Sequence, residues 1–321
     1  MNTNILNAKI VEAIKDKLPQ GANIIHFLTD TLYLGKEAIY RRLRGDVPFS
    51  FHEVYTIVQK LDISLDYILN YSTENNIIFE LRQHSYYDPQ DVDYAIFLKF
   101  LDILKNVSQE SVSELAVSYN VFPQLPIQLY YNLSRYNSFK WIYQNQNLYP
   151  IRKFEDVELP RRLYEIHKDT IFESMKIKHT SYIWDYTIIE TLVKEIKYFE
   201  NIELIDKEDV LKLKEELYDF LNYVEKLAIT GEFENGNRFD LYISCIHSDT
   251  AYLYIETPNT QISMLGAFGS NHMISRDLRA LTRMKGKILS RKRVATLISR
   301  SDEMYRISFF RRQRELLETL N

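Results

Sequence analysis

A single cysteine, Cys245, occurs among the 321 residues of the chain. One thiol cannot close an intramolecular disulfide, nor can it supply the cysteine pairs of a structural zinc site. That scarcity fits a reducing compartment, and a cytoplasmic location is expected. Glycine and proline are scarce too, at 8 each. Because these residues punctuate turns and break helices, their scarcity predicts few tight loops and much helix. No run reaches the ~18 consecutive apolar residues of a membrane span. The first residues, Met1 to Ile5, lack a basic stretch followed by an apolar one, so no membrane partner and no export signal are expected.

Motifs for chemistry are missing as well. The chain contains no Gly-x-Ser-x-Gly, no phosphate-binding P-loop and no His-Glu-x-x-His. Its seven histidines, His26, His52, His84, His167, His179, His247 and His272, are scattered without a ligand spacing. Neither a metal nor a cofactor is expected, and the chain reads as a non-enzyme. Cys245 alternates with Phe239, Leu241 and Ile243, which predicts a small buried hydrophobe in place of a reactive thiol.

The net charge of −4 conceals a segregation. Residues 1–70 hold 8 basic and 8 acidic side chains; residues 71–275 hold 19 and 31; residues 276–314 hold 13 and 3. A basic block at 276–314 beside an acidic body either docks on that body or meets nucleic acid, and docking is favoured.

Hydrophobic residues recur at helical spacing in Ile10, Val11, Ile14 and Leu18; in Ile24, Ile25, Leu28 and Leu32; and in Ala38, Ile39 and Leu43. Ser50-Phe51-His52-Glu53 is a capping box that opens a fourth helix through Leu61. Ser64 is placed to cap a short fifth turn ending near Leu69, and the polar run 71–76 reads as a linker. From about 91 to 230 the pattern stays helical. Within it, Val210, Leu213, Leu217, Phe220, Val224 and Leu227 form a heptad-like seam, which is read as a core stripe first and a dimer contact second. Past Gly231 the period changes to two through Phe239, Leu241 and Ile243, then Tyr252 and Tyr254, with a turn at 257–260. The predicted architecture is therefore mainly α: a five-helix domain over 1–70, a linker at 71–76, and an α-rich region over 77–321 carrying a small antiparallel sheet near 238–268. Ser301 is placed to cap the last helix.

The segment from Leu28 to Gly45 carries the clearest functional signal. A helix that enters a major groove buries one face and leaves a polar face outward; here Ala38, Ile39 and Leu43 are the inward set, while Lys36, Glu37, Tyr40, Arg41 and Arg44 project out. With the following Pro48-Phe49-Ser50-Phe51 and the apolar run to Leu61, this resembles the phage-repressor-like (XRE-type) helix-turn-helix regulators over about 70 residues. The resemblance implies a transcription regulator that binds double-stranded DNA, with Lys36, Glu37, Tyr40 and Arg41 meeting base edges, and Arg44 and Asn23 meeting phosphates. It also implies a homodimer. The turn position usually held by glycine in that family is Tyr33 here, and the usual Ser or Thr cap is Gly35.

A bare DNA reader needs only the first domain, so the remainder is expected to dimerise, sense a signal, or both. Tyr242, Tyr252, Tyr254 and Glu256 lie where a small-molecule pocket is expected to form beside the strands, aromatic rings providing burial and a carboxylate orientation; a protein effector is the other option. The contrasting reading of the whole chain is a helical scaffold for protein partners that does not bind DNA.

Overall fold

A computed structural model of the protein describes residues 3–18, 22–61, 63, 65, 77–82, 85–86, 88–120, 124–145, 150, 152–267 and 271–320. The chain divides into two compact units, Met1–Ile78 and Phe79–Asn321. The turn expected over 64–69 and the linker expected at 71–76 lie outside the described residues, Leu65 aside.

In the first unit, α1 (Thr3–Lys17), α2 (Ile24–Leu32), α3 (Lys36–Arg44) and α4 (Phe51–Leu61) surround a core of Ile10, Ile14, Leu28, Ile39, Val54, Ile57 and Val58. A three-residue turn joins α2 to α3. Tyr33 closes α2 in the left-handed region at φ 54, where a side chain is disfavoured, and its ring is 93% exposed. Gly45 ends α3 at φ 82, the conformation for which a C-terminal glycine is favoured. The capping box at α4 forms in both directions: Ser50 N–H donates to Glu53 Oε2 at 2.8 Å and Glu53 N–H to Ser50 Oγ at 3.3 Å. Asn7, 4% exposed, crosses from α1 to brace the far side: its Nδ2 donates to the Arg42 carbonyl at 2.8 Å and its Oδ1 accepts from Phe49 N–H at 3.1 Å.

The second unit overturns the expectation of a mainly α region with a small antiparallel sheet. Its strands β1 (Glu80–Arg82), β2 (Glu114–Tyr119), β3 (His179–Asp185), β4 (Arg238–Ser244), β5 (Tyr252–Glu256), β6 (Gln261–Ala267), β7 (Asn271–Ser275) and β8 (Thr296–Leu297) form one mixed sheet in the order β1-β7-β6-β5-β2-β3-β4-β8. β2, β3 and β4 are parallel, in register Glu114 to His179 to Arg238, and the remaining pairs are antiparallel. This is an α/β fold. Parallel neighbours need long crossovers, which α6 (Tyr131–Gln144) and α7 (Arg161–Met175) supply between β2 and β3, and α8 (Ile188–Asn201) and α9 (Lys207–Thr230) between β3 and β4.

The sheet is the middle of three layers. One face carries Leu115, Val117, Tyr182, Trp184, Phe239 and Leu241 into the main core, which also takes up α5 (Asp91–Gln109), α6 to α9 and α11 (Glu303–Leu317). The opposite face carries Ala116, Ile183 and Tyr254 against Leu281, Met284 and Ile288 of α10 (Leu278–Arg293). The heptad-like seam on α9 lies wholly inside the main core, Val210, Leu213, Leu217 and Phe220 at 0% exposure, which removes it as a dimer contact. Asp302, one residue after the expected Ser301, caps α11.

Two substitutions test the account of the first unit, both read by amide exchange of α1 to α4 in the full chain. Asn7→Ala strands the buried Phe49 N–H and should lower local stability by about 1–3 kcal/mol. Tyr33→Gly relieves the left-handed tyrosine and should raise it by roughly 0.5–1 kcal/mol. Unchanged protection in both variants would contradict these roles.

Candidate functional site

Helical rotation separates the basic residues of α3. Ile39 points inward at 0% exposure, and Leu43 packs on the same core. Arg42 turns toward α4, where Glu53 holds its guanidinium through Nε to Oε2 at 3.0 Å and Nη2 to Oε1 at 2.7 Å, with both side chains largely covered at 16% and 13% exposure. Burial pushes the Glu53 carboxyl up, but the bonds from Arg42 and from Ser50 N–H outweigh it and leave the pKa lowered. Lys36, Glu37, Tyr40, Arg41 and Arg44 are all exposed on α3. Arg44 stands between Asp46 at 3.0 Å and Glu37 at 3.7 Å. Asn23 caps α2, its Oδ1 accepting from Ile25 and His26 N–H at 3.0 and 3.2 Å.

Of the four residues expected to form a pocket in the second unit, Tyr242, Tyr254 and Glu256 sit elsewhere. Tyr242, Tyr252 and Tyr254 pack with the Ala116–Ile183 cluster under α10. The hydroxyl of Tyr254 donates to Glu114 at 2.8 Å, and Glu256 pairs with Lys285 of α10. Around them lies a polar network without a sequence signature. Lys292 Nζ donates to Ser181 Oγ at 2.9 Å; His179 Nε2 is 2.9 Å from Asp240 and 3.2 Å from Ser181; Arg238 pairs with Asp240 at 2.9 Å. Burial lowers the Lys292 pKa, against the pull of Glu114 and Asp240. Burial raises that of Asp240, but bonds from His179 and Arg238 bring it below the usual carboxylate value. This is not a nucleophile relay, because the serine and the aspartate converge on one ring nitrogen instead of opposite ones and Ser181 is 0% exposed. It anchors α10 to the sheet.

A cavity of about 130 Å3 lies on the other face, between α5, α7 and the sheet. Tyr86, Phe97, Phe100, Val117, Tyr119 and Met264 give it largely apolar walls, and Gln128, His167, Thr170 and His272 are polar side chains in its lining; Tyr252 alone of the four expected residues borders it. Burial pushes the His272 imidazole down to about 4, so it is neutral at pH 7. Among the described residues no cluster of three or more His, Cys, Asp or Glu side chains is arranged to hold a metal ion, and no helix is long and apolar enough to cross a membrane.

Part of the basic block is taken up within the second unit, while Arg276, Arg283, Lys287, Arg293 and Arg311 are exposed. Arg314 pairs with Glu225 and Lys285 with Glu256, Arg300 with Glu232 at 2.8 Å and Arg312 with Glu190 at 3.2 Å, while the buried Arg306 donates to the Ile298 and Ser301 carbonyls. Cys245, expected to be buried, is exposed: β4 ends at Ser244, so the alternation does not reach it.

The neutral His272 has a consequence for pH. Its folded pKa lies below the ordinary value of 6.5, so its contribution to stability is complete above about pH 6.5 and is lost as pH falls toward 4, when the unfolded chain takes up a proton that the native site refuses. Urea unfolding at pH 7 and pH 4.5 should therefore show a loss smaller by about 2 kcal/mol in His272→Gln than in the parent chain; equal losses would contradict the assignment. No protein-family model, no curated protein and no solved structure matches the chain.

Proposed function

We propose that the protein is a sequence-specific DNA-binding transcription regulator whose first unit contacts duplex DNA through α3 and whose second unit regulates or assembles it. The observation that carries this reading is the sorting of α3 into a locked inner face, Ile39, Arg42 and Leu43, and an exposed outer face, Lys36, Glu37, Tyr40, Arg41 and Arg44. A major groove admits one helix, and a rigidly held one presents its side chains to base edges in a fixed register. Arg41 suits a bidentate contact with guanine, Tyr40 an apolar contact with thymine, and Lys36 and Arg44 the phosphates that set position. The amide nitrogen of Asn23 is the donor offered to a phosphate, its oxygen being taken up by the cap.

The pairing of Arg300, Arg312 and Arg314 with carboxylates of their own unit supports assigning DNA contact to α3 rather than to residues 276–314. We further propose a homodimer, the arrangement that reads two half-sites about one helical turn apart. Any effector bound by the second unit acts through its differential affinity for two conformations, a fivefold effect needing about 1 kcal/mol of coupling.

Selection of the full chain on a random duplex pool, followed by affinity measurement across salt concentrations, tests the reading. Arg41→Ala should cost about 1–3 kcal/mol on the selected site. Arg44→Ala should weaken all duplexes alike and flatten the salt slope by about one counterion. Unchanged specific affinity in the folded Tyr40→Ala, Arg41→Ala double variant would overturn it. Sedimentation of a monomer at micromolar concentration, free and on the duplex, would overturn the dimer.

A further inference from the structure

The cavity in the second unit has a size and a lining that together restrict its occupant. At about 130 Å3 it approaches the ~150 Å3 that accommodates benzene in an apolar interior. Its aromatic walls, Tyr86, Phe97, Phe100 and Tyr119, already meet neighbours at inclined angles: Phe97 stands edge-on to His167 at 5.5 Å, and Tyr86 is tilted to Phe97 at 5.8 Å. A flat ring inserted among them finds the offset and edge contacts that aromatic groups favour, which a flexible alkyl chain does not.

Charge narrows the choice further. Among the described residues no Lys, Arg, Asp or Glu lines the cavity, so an ionic ligand would lose its hydration without gaining a counter-charge. The polar lining, Gln128, His167, Thr170 and His272, is uncharged in kind. His272 is neutral at pH 7 because burial lowers its pKa, and a neutral imidazole offers one donor and one acceptor. The hydroxyl of Thr170 donates to the Ile166 carbonyl at 2.7 Å, which leaves its oxygen as an acceptor. Such a lining matches a molecule with a single hydroxyl or ring N–H.

We propose that this cavity is a binding site for a neutral, single-ring aromatic molecule bearing one hydrogen-bond donor, of the phenol class. The site is independent of the DNA reading of α3: loss of duplex binding in the Tyr40/Arg41 variant leaves it untouched, and failure to bind a ring leaves the DNA reading untouched.

Calorimetric titration of the full chain with p-cresol, toluene, benzoate and hexan-1-ol decides the matter. One p-cresol per chain is expected, bound ~5-fold more tightly than toluene because of the added hydrogen bond and at least ~10-fold more tightly than the anionic benzoate. Phe100→Trp and Thr170→Leu, which add bulk to the walls, should each weaken p-cresol by ~10-fold or more while the far-ultraviolet circular dichroism stays that of the parent. His272→Leu should abolish the preference for p-cresol over toluene, and His272→Gln should restore it. The proposal is overturned if no neutral ring binds saturably at up to about 1 mM, if benzoate or hexan-1-ol binds as well as p-cresol, or if both folded bulk-adding variants bind like the parent. Should either of those variants misfold, the p-cresol to toluene ratio in His272→Leu and His272→Gln still decides.

Discussion

The pairing of Arg42 with Glu53 fixes the rotation of α3, and the assignment of that helix's outer face depends on this rotation. Three arginines occur within four residues, at 41, 42 and 44, and a helix advances by 100° per residue. Only one of them can turn toward α4. Glu53 is prepared to receive it, because the same carboxylate closes the capping box by accepting from Ser50 N–H and so stands still at the first turn of α4. With Arg42 held by two bonds, Arg41 and Arg44 are left outside together with Lys36 and Tyr40. Asn7 braces the opposite side through the Arg42 carbonyl and Phe49 N–H. The outer face of α3 is thereby set by groups that never face solvent fully.

The second unit depends on a different constraint, the double burial of its central strands. β2, β3 and β4 are covered by the helical layer on one side and by α10 on the other. On the α10 side several polar groups satisfy one another: Lys292 with Ser181, His179 with Asp240, Tyr254 with Glu114. Buried polar groups that pair in this way specify one docking geometry for the helix instead of adding much net stability. The cavity lies on the other side, between α5, α7 and the sheet.

The legibility of the sequence follows from these two constraints. α1 to α4 have one exposed face each, so their 3.6-residue period and the Ser50–Glu53 cap are plain from the residues alone, as is the outward set on α3. β2, Glu-Leu-Ala-Val-Ser-Tyr, is buried from Leu115 to Tyr119, and β3 from Thr180 to Asp185. A strand covered on both faces loses the alternation that marks it, which is why the residue pattern of these two merges with the helical segments around them and discloses only a small antiparallel sheet. The alternation at 239–243 was visible, but it does not disclose a parallel partner 59 residues earlier, at Thr180 opposite Phe239. The heptad spacing on α9 was visible too, and its meaning, core rather than interface, depended on neighbours that only folding supplies. His167 and His272, like His179 and Asp240, come together across strands and helices far apart in the chain, and spacing carries no trace of such encounters.

Hydrogen–deuterium exchange of the full chain, with and without a duplex selected from a random pool, tests most directly the claim that α3 is the DNA-contacting element. The account predicts slowed exchange over Lys36 to Gly45 and at the start of α2, with the amides of residues 276–314 unchanged. Slowed exchange confined to residues 276–314, with α3 exchanging as in the free protein, would contradict it.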